Sequence, residues 1–209
     1  MSTPSESAAE ALDGLSEREV SLLRSAYRVV SRRGGHRIAL QDVADDAGVS
    51  KGLVLYHFKT KDNLLLSTMR WALVRTAERI REGVGSVQAA EDVVKALIDA
   101  IWIGPQPNRD FYLLYLDLVE HAARVPSFAE LPGMTRDIIN GLYAEVIAEG
   151  LDRGLFHVDD VDEAAEAMRA YLDGLFIQWL QREDWETTHD AYRERCRGGL
   201  LRLLGADRS

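Results

Sequence analysis

One cysteine, Cys196, occurs in 209 residues. No intrachain disulfide can form and no cysteine-based zinc site can be assembled, which excludes a secreted disulfide scaffold and points to a reducing compartment. No apolar stretch approaches the ~18 residues that a membrane-spanning helix needs. The opening segment MSTPSESAAEALDGLSE lacks the basic start and apolar run of a signal peptide, so a cytoplasmic location with no membrane partner is expected. What the chain does have is apolar material. With 46% hydrophobic residues it can bury a real core in one or two globular units, which excludes disorder as its main state.

Lysine is scarce, and its placement is uneven. Three of the four lysines, Lys51, Lys59 and Lys61, fall close together, and Lys95 stands alone. The formal net charge of −9 argues, taken as an average, against nucleic acid as a partner. The average conceals a division: residues 1–15 sum to −3, residues 16–61 to +4 and residues 62–209 to −10. A compact positive head therefore sits on an acidic body. Such a head suits phosphate contact, although a solvated charged face explains the same numbers.

Periodicity is helical throughout. Ser16 and Glu19 have capping-box spacing, and Val20, Leu23, Tyr27 and Val30 follow at helical intervals until Gly34 and Gly35. Leu40, Val43, Ala44 and Ala47 form a short stripe ending at Gly48, and Ser50 opens another short helix to Phe58. Thr60 can cap a fourth helix reaching about Arg81, long enough to bridge two units. Further helices are predicted over about 93–103, 111–123, 134–152, 160–181 and 188–204, with all five prolines outside helix interiors. No segment alternates at period two long enough for a sheet, though 155–158 suits a short extended piece. The fold class is all-α with about nine helices.

Residues 40–61 carry the strongest motif. A helix-turn-helix needs a small residue where two helices cross, a glycine for the left-handed turn, and a second helix whose N-terminal part can enter a major groove. Ala44, Gly48 and the stretch from Ser50 to His57 meet these needs, although two short helices with a glycine turn occur in many folds. Together, QDVADDAGVSKG at 41–52, YHF at 56–58, Lys61 and Leu64-Leu65 resemble the N-terminal domain of TetR-type transcriptional regulators. The run from Ser50 to Arg70 is most similar to the branch that contains the choline-responsive betaine-pathway repressor.

The resemblance implies a ligand-responsive regulator, most simply a repressor, that binds a palindromic double-stranded DNA operator as a homodimer. It divides the chain into a disordered tail over 1–15, a helix-turn-helix domain over 16–61 and a helical effector-binding and dimerisation domain over 62–205. Gln41, Ser50, Lys51, Gly52, Leu53, Tyr56, His57 and Lys61 become the DNA-binding candidates. Ser50 would cap the recognition helix, Gly52 would allow close approach, and Tyr56, His57 and Lys61 would meet the backbone. Leu53 either touches a thymine methyl or packs inside the domain. Ala39 departs from the Thr or Ser that starts the first motif helix in relatives.

In the family the last two helices pair across a two-fold axis, which makes Ala167, Tyr171, Gly174, Leu175, Gln178, Tyr192, Cys196, Leu200 and Leu203 the dimer-interface candidates. Mid-helix glycines 174, 198 and 199 suggest a close second backbone, since each costs ~1 kcal/mol relative to alanine. Aromatics concentrate in the middle helices. Trp71, Trp102, Tyr112, Tyr115, His121, Tyr143 and Trp179 are the ligand-binding candidates, and with Asp117, Glu120 and Asp173 nearby an organic cation is the effector class they suggest. Tyr112 and Tyr115 are more simply explained as core, and Asp117 and Glu120 as surface.

Catalysis is not expected. The chain lacks a glycine-rich phosphate loop, an H-E-x-x-H pair and a nucleophile in a recognisable setting, and it calls for no cofactor and no metal. His157 with Asp159 and Asp160 reads better as a helix start than as a metal cluster. A constitutive dimeric DNA-binding protein without an effector is the remaining alternative, and a body without a cavity would favour it.

Overall fold

The computed structural model describes residues 14–33, 38–85, 87 and 89–206. Residues 1–13 of the expected tail, and Gly34 and Gly35 after the first helix, lie outside the described residues. Within them every regular element is helical: α1 (Glu17–Arg33), α2 (Leu40–Ala47), α3 (Lys51–Phe58), α4 (Lys61–Val84), α5 (Ala90–Ile101) and α6 (Pro105–Ala122). A short turn of 3-10 helix, Pro126–Phe128, leads to α7, which comprises Leu131–Thr135, a π turn Arg136–Asn140 and Gly141–Asp152. Then come α8 (Val161–Leu180) and α9 (Trp185–Leu203).

Local chemistry starts these helices where the sequence suggests. Ser16 and Glu19 exchange the two capping-box bonds, at 2.9 and 3.2 Å. Ser50, Thr60 and Asp160 each accept a backbone N–H three residues on, at 3.3, 3.0 and 2.9 Å. Ala39 offers no side-chain cap, so Asp42 reaches back to its N–H at 2.7 Å and satisfies that donor instead. Gly48 adopts φ 66°, a left-handed conformation that closes α2 and releases the chain into α3.

Four helices start earlier than the periodic reading has them: α5 at Ala90, α6 at Pro105, α7 at Leu131 and α9 at Trp185. α6 begins at Pro105, because prolines in a first turn have a helical φ and no N–H to waste, and Asn108 Oδ1 accepts the Gly104 N–H at 3.2 Å. α7 starts earlier than 134 and contains the π turn, a register change invisible to a 3.6-residue pattern. The 155–158 segment makes no strand; His157 N–H donates to the Leu204 carbonyl at 2.8 Å, tying it to the end of α9.

One apolar core runs without interruption from the head into the body. Leu22, Leu23, Ala26, Val43, Ala44, Val54 and Phe58 close the head around α1. α1 also packs on α4 and α6, so the predicted boundary at 61/62 coincides with the start of a helix that both parts share. In the body a ladder of stacked rings, Tyr112, Phe176 and Trp102, has centroid separations of 4.0 and 3.9 Å. Such pairs contribute ~0.5–1.5 kcal/mol each beyond the area they bury. Among the described residues no helix is long and apolar enough to cross a membrane.

Candidate nucleic-acid interface and internal cavity

The head presents α3. Val54 and Phe58, four residues apart, anchor it inward, which leaves Lys51, Gly52, Leu55 and Tyr56 outward, with Tyr56 70% exposed. Leu53 is half-buried between these faces. A Cβ on Gly52 would meet only Ser50 Oγ at 3.8 Å, so packing within the chain does not require glycine there. Gln41 is exposed on α2 and donates to Asp45 at 2.7 Å. Acids in the head are largely consumed: Arg28 pairs with Asp46 and Arg33 with Asp42, both at 2.6 Å. The lysines near α3 therefore dominate the field at its surface.

His57 is less open than its neighbours. Its Nδ1 lies 3.4 Å from Glu19, whose carboxyl is held below its usual range chiefly by the Ser16 N–H, so it ties α3 to the start of α1. Lys59, absent from the sequence candidates, adopts φ 64° and donates to the Tyr56 carbonyl at 2.6 Å, with its ammonium 5.1 Å from the Tyr56 ring centroid. It fixes the exposed tyrosine at the end of the helix.

The body holds a cavity of about 240 Å³ that is partly open to solvent. Trp71, Arg75 and Arg79 of α4, Phe111, Tyr112 and Tyr115 of α6, Thr135, Ile139 and Tyr143 of α7, and Arg169 and Asp173 of α8 form its walls. Tyr27 of α1 completes it, with its ring edge-on to Trp71 at 6.1 Å. Residues 135, 139 and 143 share one face across the π turn. Of the sequence candidates Trp71, Tyr112, Tyr115 and Tyr143 meet here. Tyr112 donates to Asp173 at 3.1 Å, and Arg169 donates to the Tyr115 hydroxyl at 2.6 Å. Burial raises the Asp173 carboxyl, against the opposing pull of Arg169. Burial also pushes the Tyr112 and Tyr143 hydroxyls well above their ordinary range.

Three ligand candidates lie elsewhere. Trp102 caps α5 and turns its ring between Phe176 and Trp179, and Trp179 is fully buried with its indole N–H donating to the Trp185 carbonyl at 2.7 Å. Both are core rather than cavity wall. His121 donates from Nδ1 to the Asp117 carbonyl of its own helix, 2.7 Å away, and faces Phe128. Tyr27, Arg79 and Arg169 were missed by the sequence reading, since a tyrosine on the first helix and arginines at helical spacing read as ordinary core and surface.

The dimer candidates divide similarly. Leu175, Tyr192, Cys196 and Leu200 are buried within the chain itself and present no face, and burial pushes the Cys196 thiol up to about 12. Leu203 is half-buried against the core. Tyr171 donates to the Arg195 carbonyl at 3.0 Å and fills the notch at Gly199, where a Cβ would lie 2.0 Å from its hydroxyl. Gly199 therefore answers to its own chain. Ala167, Ala170, Ile177 and Gln178 remain exposed, and a Cβ on Gly174 would meet nothing within 4 Å.

Comparison with known proteins places the whole. Residues 22–68 match the family described as bacterial regulatory proteins, tetR family, and residues 90–205 match the BetI-type transcriptional repressor, C-terminal family. The chain is 27% identical over 197 residues to the HTH-type transcriptional regulator CymR of Pseudomonas putida, covering 90% of this chain and 89% of that one. It is 26% identical over 164 residues to the regulator BetI of Brucella anthropi, covering 77% and 80%. A transcriptional regulator from Saccharomonospora viridis, solved in complex with choline, superposes with a TM-score of 0.75 at 26% identity, covering 90% of this chain and 97% of that one. A Rhodococcus TetR-family regulator reaches 0.78 at 24% identity, covering 91% and 100%, which shows the shared fold. The chain belongs to the tetR family, with a BetI-type C-terminal half, and is a transcriptional regulator and not an enzyme.

Proposed function

We propose that the chain is a dimeric repressor that holds a palindromic double-stranded DNA operator and leaves it when a small molecule enters the body cavity. The observation that carries this reading is the composition of the cavity wall: Tyr27 comes from α1 and Trp71 and Arg79 from α4, and these two helices also carry the head. A ligand there touches both elements that orient α3. It releases DNA only to the extent that it binds the DNA-incompetent arrangement more tightly. The cavity also weighs against a constitutive DNA-binding protein.

In this reading residues 16–61 are the DNA-binding part and residues 62–205 the effector and dimerisation part. Ser50, Lys51, Gly52, Tyr56 and Lys61 meet the backbone, His57 braces α3 through Glu19, and Gln41 and Leu53 stand beside the groove. The dimer uses the exposed stripe of Ala167, Ala170, Gly174, Ile177 and Gln178 on α8, where small side chains allow close helix approach. The Saccharomonospora viridis relative was solved with choline, which makes an organic cation the class to test against the charges that line this cavity.

The experiment is a genome-fragment selection with purified protein at ~150 mM salt, where backbone attraction alone is weakened. An enriched palindrome is expected. Failure to enrich any sequence would refute operator recognition and leave a non-specific head.

A further inference from the structure

The charges inside the cavity are unequal. Three guanidinium groups, Arg75, Arg79 and Arg169, line it together with one carboxylate, Asp173. Two of the three are matched: Arg169 lies 3.5 Å from Asp173, and Arg75 lies 2.6 Å from Glu78. Arg79 is not. Its Nε donates to the Ala100 carbonyl at 3.3 Å, and its two amino groups donate to the Arg75 carbonyl at 3.2 Å and the Thr76 hydroxyl at 2.9 Å. All three acceptors are neutral, and among the described residues no carboxylate pairs with it. A guanidinium has five N–H donors in a planar fork, so two remain uncommitted.

Burial, and next the Arg75 charge, lower the proton affinity of Arg79, while Tyr27, Glu78 and Glu82 oppose this more weakly. Asp173 offers no matching opportunity to a cation. It already accepts from Tyr112 and faces Arg169, and burial favours its neutral form. A cationic ligand would have to displace an internal arginine, whereas an anion would meet donors without a partner.

We propose that the cavity takes a small organic anion, a carboxylate on a single-ring apolar body, with Arg79 as its counter-charge. This rests on the ligand-binding reading above and names the chemical class of that ligand. The fork of Arg79 suits the two oxygens of a carboxylate, and Trp71, Phe111 and Tyr27 supply rings for the apolar part. The volume of about 240 Å³ exceeds the ~150 Å³ that accommodates a benzene ring, leaving room for a short side chain. Arg79 lies on α4 and Tyr27 on α1, so the charged end of the ligand sits where these two helices meet.

The test is a titration of the full chain with phenylalkanoates of one to four methylenes, the matching amides, and choline, read by thermal shift and tryptophan fluorescence. At least one carboxylate is expected to bind about ten-fold or more tightly than its amide, the value of a charge-assisted pair. Arg79→Met removes that preference; Arg79→Lys keeps the preference at lower affinity. Equal binding of acid and amide, or an Arg79→Met protein that retains the preference, overturns the anion. Choline binding without any carboxylate response overturns it too, and leaves the ligand-binding reading intact. No response to any of the three classes overturns both.

Discussion

Head and body handle charge in opposite ways. In the head, Asp46 and Asp42 of α2 are spent on Arg28 and Arg33, and Lys51 and Lys59 stand outward around a helix with exposed Leu55 and Tyr56. In the body, the outside is acidic, yet the cavity holds an arginine with only neutral partners. Around α3 the chain keeps acids of its own occupied by arginines. In the proposed reading a small ligand meets Arg79, where partial burial weakens screening by water. α1 and α4 belong to both regions.

The comparison breaks most sharply at the core of the body. Trp179→Ala should cost ~3–5 kcal/mol in denaturant unfolding, since it removes a fully buried indole and its bond to Trp185. Tyr56→Ala in the head should cost ~0.5 kcal/mol or less while weakening DNA binding, because an exposed side chain has little packing to lose. Comparable losses at the two positions would refute this division.

Next comes the two-fold arrangement. Gly174→Glu combined with Ile177→Glu should leave the circular dichroism spectrum helical, convert the protein to monomer in sedimentation, and lower operator affinity about a hundred-fold through lost avidity. A variant that stays dimeric would move the interface away from this stripe of α8.

Salt dependence sharpens the contrast further. Lys61→Ala should weaken binding on all sequences alike and reduce the slope of log affinity against log salt by about one. Lys95→Ala, in the body, should leave that slope unchanged. A smaller effect concerns pH. His189 is buried, 2.9 Å from Asn108, and burial lowers its pKa from the ordinary 6.5. The folded state thus binds this proton less readily than the unfolded chain does. Stability from this site is fully present above pH 6.5 and is lost as pH falls through the lowered folded value. Melting temperature against pH should show that fall, and His189→Gln should flatten it.

How much was legible differs between the two regions for a physical reason. Helix caps at Ser16, Ser50, Thr60 and Asp160, and the turn at Gly48, depend on residues three or four positions apart, and the structure has all of them. The helix-turn-helix is equally local. The cavity depends on five helices meeting. Trp71 and Trp102 are alike in sequence, both on apolar faces, and only packing turns one toward the cavity and the other against Phe176. Gly199 and Gly174 are alike too, and Tyr171 fills the space beside one and not the other.

The sequence by itself determined the all-helical class, the order of the elements and the motif that marks the head, because helix periodicity, capping and glycine turns act over a few residues. Only the tertiary structure decided which aromatics wall a cavity, which interface candidates are buried in their own chain, and that Arg79 faces neutral partners. Those properties belong to pairs of residues far apart in the chain, and packing alone brings them together.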